Sequence, residues 1–62
     1  MMLTHRNQRN QRSIVIIDDN ELNLDLIKDI FEKEGYSVYT ASSGETGIEL
    51  VNEHYPDVVL MD

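Results

Sequence analysis

Three aspartates carry the chemistry that this sequence of 62 residues could perform. Asp18 and Asp19 follow a run of four β-branched residues, and Asp62 follows the apolar run VVLM. If both runs are neighbouring parallel strands, the three carboxylates meet at the carboxyl edge of one sheet, where open α/β sheets bind ligands. Neighbouring carboxylates repel each other unless one keeps a proton or a cation neutralises them, and hard oxygen ligands of this kind favour Mg²⁺. The structural alternative is that Asp18 and Asp19 only cap the loop into the next helix.

The elements that would hold these aspartates alternate between strand and helix. Residues 14–17 form an Ile/Val run that is typical of a strand buried on both faces. The next segment predicts a helix of about fifteen residues, with Asn20 as N-cap and Gly35 as its stop. Its apolar positions recur at helical spacing, and two further leucines widen the apolar arc beyond one packing face: Leu26, Ile27, Ile30 and Phe31, flanked by Leu22 and Leu24.

A second strand is predicted over residues 36–41, which alternate and are rich in strand-forming residues. Ser42 and Glu45 then form a capping box for a second helix, which Pro56 ends. The apolar face of this helix is predicted to contain Ile48, Val51 and Tyr55. The segment DVVLMD is the third strand. The order β-α-β-α-β with short connections predicts an α/β fold with parallel strands and right-handed crossovers.

Charge divides the chain in two. Residues 1–13 contain three arginines and no acid, whereas residues 14–62 contain all twelve acids and two lysines, which gives +3 and −10. We therefore expect a flexible basic tail over residues 1–13 and one folded domain over residues 14–62. The acidic body argues against nucleic-acid binding by the folded part. The tail could touch a phosphate backbone, but a solvated extension is the simpler interpretation.

Small size limits how this domain can be stable. A chain of 62 residues without cysteine has no disulfide to support it, so a metal or a partner is expected to do so. No apolar run has the length of a membrane span or of a signal-peptide core, which favours a soluble cytoplasmic protein. No glycine pattern of a phosphate-binding loop is present. His5 and His54 lack partners at nucleophile or metal spacing and are expected on the surface.

The ordered set of motifs resembles a known family. The hydrophobic strand into Asp18 and Asp19, the EGY before the second strand, the A-x-x-G before the second helix and the final PDVVLMD resemble the first half of a response-regulator receiver domain. The resemblance covers residues 14–62. It implies the β-α-β-α-β half of a flavodoxin-like, doubly wound parallel sheet.

In that family the residues matching Asp18 and Asp19 bind Mg²⁺, and the residue matching Asp62 accepts a phosphoryl group from a histidine kinase. The resemblance also implies that the chain is truncated at the acceptor. The family's metal-binding carbonyl two residues later, its fourth-strand Ser/Thr and its fifth-strand Lys would all be missing. We therefore expect a two-component signalling module that is not an enzyme and is inactive in phosphotransfer as it stands, with any Mg²⁺ bound weakly.

A second hypothesis is a self-assembling half-domain whose receiver chemistry is vestigial. The third strand would present an open apolar edge without lysine or proline, which is a ready site for strand pairing. This predicts a homo-oligomer, most simply a two-fold dimer. Its interface would contain the third strand and helix faces near Leu24, Ile27 and Val51, with exchange of elements between chains as the other geometry.

Overall fold

The computed structural model of the chain describes residues 2–4 and 12–61, so that Met1, residues 5–11 and Asp62 lie outside the described part. Along the described chain the elements are β1 (Met2–Thr4), β2 (Ser13–Ile17), α1 (Glu21–Lys33), β3 (Ser37–Ala41), α2 (Gly44–His54) and β4 (Val58–Met61). The predicted tail over residues 1–13 thus overlaps two strands, because Met2–Thr4 forms β1 and Ser13 begins β2. His5, Arg6 and Arg9 lie outside the described residues.

The sheet has the strand order β1-β4-β2-β3. Strand β2 pairs in parallel with β3 on one side and with β4 on the other, which confirms the predicted β-α-β-α-β arrangement. Ile17, the last residue of β2, is in register with Ala41 and with Met61. The three parallel strands therefore end together, and their carboxyl ends lie at one edge of the sheet.

Strand β1 occupies the outer side of β4. It runs antiparallel to β4, with Met2 opposite Leu60 and Thr4 opposite Val58. The prediction that the third strand of the receiver-like unit presents an open edge is therefore wrong for the described chain. The sequence does not predict β1, because its three residues are too few to show a strand pattern.

The core has two sides, separated by β2. On the α1 side, Ile14 and Ile16 are buried with Leu24. On the α2 side, Val15 and Ile17 are buried with Ala41 and Val59, against which Leu50 and Val51 of α2 pack. The prediction that the Ile/Val run is buried on both faces is confirmed, because all four of its residues are buried.

Helix α1 begins as its sequence predicts. The Asn20 side chain accepts hydrogen bonds from the backbone N–H groups of Leu22 at 3.0 Å and Asn23 at 3.3 Å. The helix has 13 residues rather than about fifteen, and Gly35 follows it with a φ of +91°, a conformation that glycine adopts most easily. Phe31 and Tyr36 then meet edge to face with ring centroids 5.2 Å apart, which packs the helix end onto the start of β3.

The apolar residues of α1 that are buried differ from those that the sequence predicts. Leu24 is buried, and Ile27 and Phe31 are half-buried against the sheet. Leu22, Leu26 and Ile30 are instead 80%, 62% and 51% exposed. The expectation that positions 26 and 30 face the core is therefore wrong. The apolar arc is wide enough that the helix can pack with its face rotated by about a sixth of its circumference.

Helix α2 begins one residue later than the capping box predicts. The N-cap is Ser43, whose Oγ accepts a hydrogen bond from the Thr46 N–H at 3.3 Å. Ile48 and Tyr55, expected on the packing face, are exposed. The buried side of the helix contains Gly47, which lies directly on Ile17: a Cβ at this position would collide with Ile17 Cδ1.

Candidate functional site

Asp18 and Asp19 lie at the carboxyl edge of the parallel strands. Asp18 directly follows β2, and its N–H donates to the Ala41 carbonyl at 3.1 Å, which continues the pairing with β3. Met61, the last described residue of β4, is the register partner of Ile17. Asp62 follows Met61 in the sequence but lies outside the described residues, so its approach to Asp18 and Asp19 remains a prediction.

Asp18 is held at the start of α1. Its side chain is buried, with 5% exposed, and Oδ1 accepts a hydrogen bond from the Asn20 N–H at 2.9 Å. Oδ2 accepts one from Asn23 Nδ2 at 3.3 Å. These contacts give Asp18 the capping role of the structural alternative. They do not exhaust its capacity, because two carboxylate oxygens offer about four acceptor directions.

Asp19 differs from its neighbour in exposure. Its side chain is exposed, and among the described residues it has no hydrogen bond or ion pair. It lines an open depression on the edge of the sheet together with Ser42 and the first residues of α1. Asp18 is thus oriented by the protein, whereas Asp19 is free to meet an ion or a ligand from solvent.

No protein cation neutralises this edge within the described residues. Lys33, at the far end of α1, pairs with Asp29 at 3.0 Å, and neither Asp18 nor Asp19 has an ion pair with a described Lys or Arg. The described part also contains no group of three potential metal ligands. Two adjacent carboxylates without a counter-charge fit Mg²⁺, which is bound by one or two carboxylates and keeps several waters.

A groove of about 430 Å³ opens beside Asp18, between α1 and β4. Asp18 and Asn23 form its polar end, and the rest is apolar: Ile16, Ile17, Leu26, Ile27, Leu60 and Met61. Sequence reasoning missed Asn23. The position of Asn23, one turn after Asn20 at the start of α1, was visible in the sequence. Its contact with Asp18, however, depends on how the loop before the helix bends.

His54 is placed differently from the expectation. It is half-buried rather than on the open surface, and its ring stacks on Tyr39 with centroids 3.9 Å apart and an interplanar angle of 12°. Its nearest acid is Glu53, with Nε2 3.8 Å from Oε1. His54 therefore packs the end of α2 onto Tyr39, the middle residue of β3.

Comparison with known proteins assigns the chain to a family. The family model of the response regulator receiver domain matches residues 14–62. The chain belongs to the response regulator receiver domain family. The first strand of the family match is β2, so that Asp18, Asp19 and Asp62 fall within the matched receiver segment.

Curated relatives of this receiver chain are response regulators. The polar-differentiation response regulator DivK of Brucella ovis is 43% identical over 51 residues, which is 82% of this chain and 42% of that protein. DivK of Brucella anthropi is 41% identical over the same lengths. The receiver chain thus spans about two fifths of the length of these relatives. No solved structure matches the chain significantly. No helix in the described part of the receiver chain has the length and apolar character needed to cross a membrane.

Proposed function

We propose that this chain is the phosphoryl-accepting module of a two-component phosphorelay, with Asp62 as the acceptor and a histidine kinase as the donor. The supporting observation is the parallel register of Ile17 with Met61, which aligns the carboxyl ends of β2 and β4. Asp18 and Asp62 are the next residues in the sequence. Receiver membership over residues 14–62 supports the same assignment. As in other receivers, the chain is a signalling module and the partner supplies the activated phosphoryl group.

The contacts of each residue indicate its role in phosphotransfer. A carboxylate oxygen of Asp62 would attack the phosphorus of a phosphohistidine. As the new O–P bond forms, the P–N bond breaks and the histidine nitrogen keeps the electron pair. Asp18, fixed by Asn20 and Asn23, and the exposed Asp19 would hold Mg²⁺. Bound Mg²⁺ offsets negative charge on the phosphoryl oxygens.

We further propose that the 62 residues on their own hold a phosphoryl group poorly. In receivers a later carbonyl completes the metal site, and a later Ser/Thr and Lys contact the phosphoryl group. The chain spans only 42% of the DivK relatives. The loss of one preorganised charged contact typically costs about 10² to 10³ in rate, and here three contacts would be lacking.

Magnesium binding is expected to be weak and local. In a Mg²⁺ titration followed by backbone amide shifts, the largest changes should occur at Asp18 and Asp19 and should not reach saturation. Asp19→Asn should abolish them, because it removes the carboxylate that is open to solvent. Asn23→Ala, which frees Asp18 Oδ2, should reduce the shifts at a given Mg²⁺ concentration by about tenfold.

Glu53→Gln is the matched control, since it removes an exposed carboxylate at the other end of the strands. Shifts spread equally over all acidic residues, or an equal effect of Glu53→Gln, would contradict a site at this edge. Saturation at low Mg²⁺ concentration would show that the site is complete without further residues.

Phosphorylation of the isolated chain is expected to be negligible. After incubation of the 62-residue chain with acetyl phosphate and Mg²⁺, intact-mass spectrometry should show no stable adduct. The reason is that the carbonyl, Ser/Thr and Lys that other receivers use would not be among these residues. A substantial adduct that disappears in Asp62→Asn would refute the proposed inactivity while supporting the acceptor. An adduct that persists in Asp62→Asn would contradict the acceptor itself.

A homo-oligomer in which the receiver chemistry is vestigial is the second candidate. The observation in its favour is the row Leu22, Leu26 and Ile30, three exposed apolar residues at intervals of four on α1. Leu24, which the sequence predicts in the interface, is buried within its own chain and is not available. The exposed row on α1 is the surface that we assign to such an interface.

Self-association through this row should be sensitive to charge. In sedimentation equilibrium over a concentration series, Leu26→Lys should weaken any dimer by at least tenfold, whereas Asn52→Lys, with the same charge change on the exposed side of α2, should leave it unchanged. An unsubstituted chain that is monomeric at every concentration would eliminate this candidate.

A further inference from the structure

Asp57, which directly precedes β4, is bonded to the first residue of β2. Its carboxylate Oδ2 accepts a hydrogen bond from the Ser13 N–H at 2.8 Å, and its own N–H donates to the Ser13 carbonyl at 3.0 Å. Both backbone groups of Ser13 are thus bonded to one residue of the neighbouring segment. Asp57 is only 9% exposed, so water competes little for its bonds. We call this pair of hydrogen bonds the Asp57 clasp.

The apolar residues of β2 and β4 do not by themselves set the register of the two strands. Residues 14–17 and residues 58–61 are apolar at every position, and their side chains pack on both sides of the sheet. A slip of one residue moves every side chain of a strand to the opposite face. In β4 such a slip would place apolar side chains on both faces again. Hydrophobic burial therefore discriminates only weakly between neighbouring registers.

The connection between α2 and β4 also leaves room for a slip. It consists of residues 55–57, and Tyr55 is in the left-handed conformation with a φ of +48°, so that the connection is not fully extended. Three residues can span about 10 Å, whereas a slip of one residue requires about 3.3 Å. The contact of Gly47 with Ile17 places α2 against β2, but it acts on β4 only through this connection. A directional contact at the start of β4 is needed in addition, and the Asp57 clasp supplies one.

We propose that Asp57 is a positioning residue, which fixes the register of β4 on β2 and thereby the spacing of the residues at the carboxyl edge. Asp18 is five residues after Ser13 in the sequence, and Asp62 is likewise five residues after Asp57. The inference rests on the proposed function, in which Asp62 is the phosphoryl acceptor. A slip of one residue moves the end of a strand by about 3.3 Å. Mg²⁺ requires near-ideal geometry with ligands at about 2.1 Å, so such a slip would separate its ligands.

Two substitutions of Asp57 separate its hydrogen bond from its charge. Asp57→Ala removes the acceptor of the Ser13 N–H, whereas Asp57→Asn removes the charge and keeps an oxygen at that position. The matched control is Asp29→Ala, because the Asp29 side chain is 62% exposed on α1 and its surface ion pair contributes little to stability.

Nuclear Overhauser contacts between backbone protons measure the register of the two strands. In the control and in Asp57→Asn, the contacts of Val15 with β4 should centre on Val59, its register partner. In Asp57→Ala, these contacts should move by at least one residue, to Val58 or Leu60, or a second set of signals with the moved contacts should appear. A folded Asp57→Ala chain whose contacts centre on Val59 alone would overturn the proposal, because the register would then be set without the clasp.

Manganese binding tests whether the register also positions the edge of the sheet. Mn²⁺ is bound by the same oxygen ligands as Mg²⁺ and broadens the signals of nearby amides. The chains for this measurement also carry Asp62→Asn, so that the metal is expected at Asp18 and Asp19. Broadening within β4 should then be strongest at Met61, the register partner of Ile17, in the control.

In Asp57→Ala, the position of strongest broadening should move along β4 by the same number of residues as the Val15 contacts. Broadening that stays at Met61 although those contacts have moved would overturn the positioning role. If Asp18 and Asp19 are not broadened in any chain, the proposed metal site is wrong, and the Val15 contacts alone decide whether Asp57 fixes the register.

If Asp57→Ala does not fold, Asp57→Asn and the unsubstituted chain decide. In both chains the Ser13 amide should exchange with solvent as slowly as the amides in the interior of β2, because the oxygen at position 57 accepts its hydrogen bond. Fast exchange at Ser13 in the unsubstituted chain would refute the clasp. An Asp57→Asn chain that keeps the contacts of Val15 with Val59 while its Ser13 amide exchanges fast would equally refute it.

Discussion

Replacement of Ile14 by alanine is expected to remove about 3 kcal/mol of stability, within the range of about 2–5 kcal/mol for buried Ile to Ala changes. Ile14 has no exposed surface and belongs to the α1 side of the core, together with Ile16 and Leu24. A chain of this size has a total stability of roughly 3–9 kcal/mol. The substitution should therefore remove at least about a third of the stability of the domain.

Urea denaturation followed by circular dichroism measures this directly. Leu22→Ala is the matched control, because it removes an aliphatic side chain that is 80% exposed and should change stability by less than about 0.5 kcal/mol. Ile14→Val should fall between them, at about 1 kcal/mol. Coincident curves for Ile14→Ala and Leu22→Ala would show that the sheet does not bury Ile14 as described.

Replacement of Gly47 by alanine is expected to destabilise the fold, against the normal preference of helices. Alanine is favoured over glycine by about 1 kcal/mol inside a helix. At this position, however, the added methyl would collide with Ile17 Cδ1 and lie 2.5 Å from Cγ1. Ile17 is itself buried among Tyr39, Leu50 and Val51, so it cannot move away freely. Overpacking of this kind costs about 1–3 kcal/mol, which exceeds the gain in propensity.

Gly44 provides the comparison, because a Cβ there would meet no atom within 4 Å. Gly44→Ala should leave the unfolding midpoint unchanged or raise it, and the two alanine variants should differ by about 2 kcal/mol. Ile17→Val shortens the side chain that the new methyl at position 47 would strike. The double variant should therefore be more stable than the sum of the single changes predicts, by about 0.5 kcal/mol or more. Equal stabilisation by both alanines would contradict the close approach of α2 to β2.

Features set by neighbouring residues could be predicted from the sequence. The Ile/Val run, the Asn20 cap and the stop at Gly35 each depend on a few adjacent positions. The parallel order then results from the alternation of strand and helix, and it predicts that Asp18 and Asp19 lie at the carboxyl edge. That part of the fold is confirmed, whereas the meeting of these residues with Asp62 remains a prediction.

Features set by distant residues could not be predicted in this way. Gly47 has no local sign that distinguishes it from Gly44, since its role depends on Ile17 in another element. The residues that form the exposed row on α1 depend on which part of the wide apolar arc of this helix packs against the sheet. Asp57 is a third example of a residue whose role depends on a distant partner. Its carboxylate accepts a hydrogen bond from the Ser13 N–H at 2.8 Å, and its own N–H donates to the Ser13 carbonyl at 3.0 Å.

The distance along the chain between paired residues predicts the order in which the strands pair during folding. Ser13 and Ser37, which pair in β2 and β3, are 24 positions apart, whereas Met2 and Leu60 are 58 positions apart. Loop-closure entropy makes the longer closure costlier by about 0.8 kcal/mol, and β1 has fewer residues with which to offset that cost. The β2-α1-β3 unit is therefore expected to form first, β4 to add to it, and β1 to join last. Unfolding is expected to follow the opposite order. The sheet therefore grows outward from β2 on folding, and its outermost strand, β1, is expected to be lost first on unfolding.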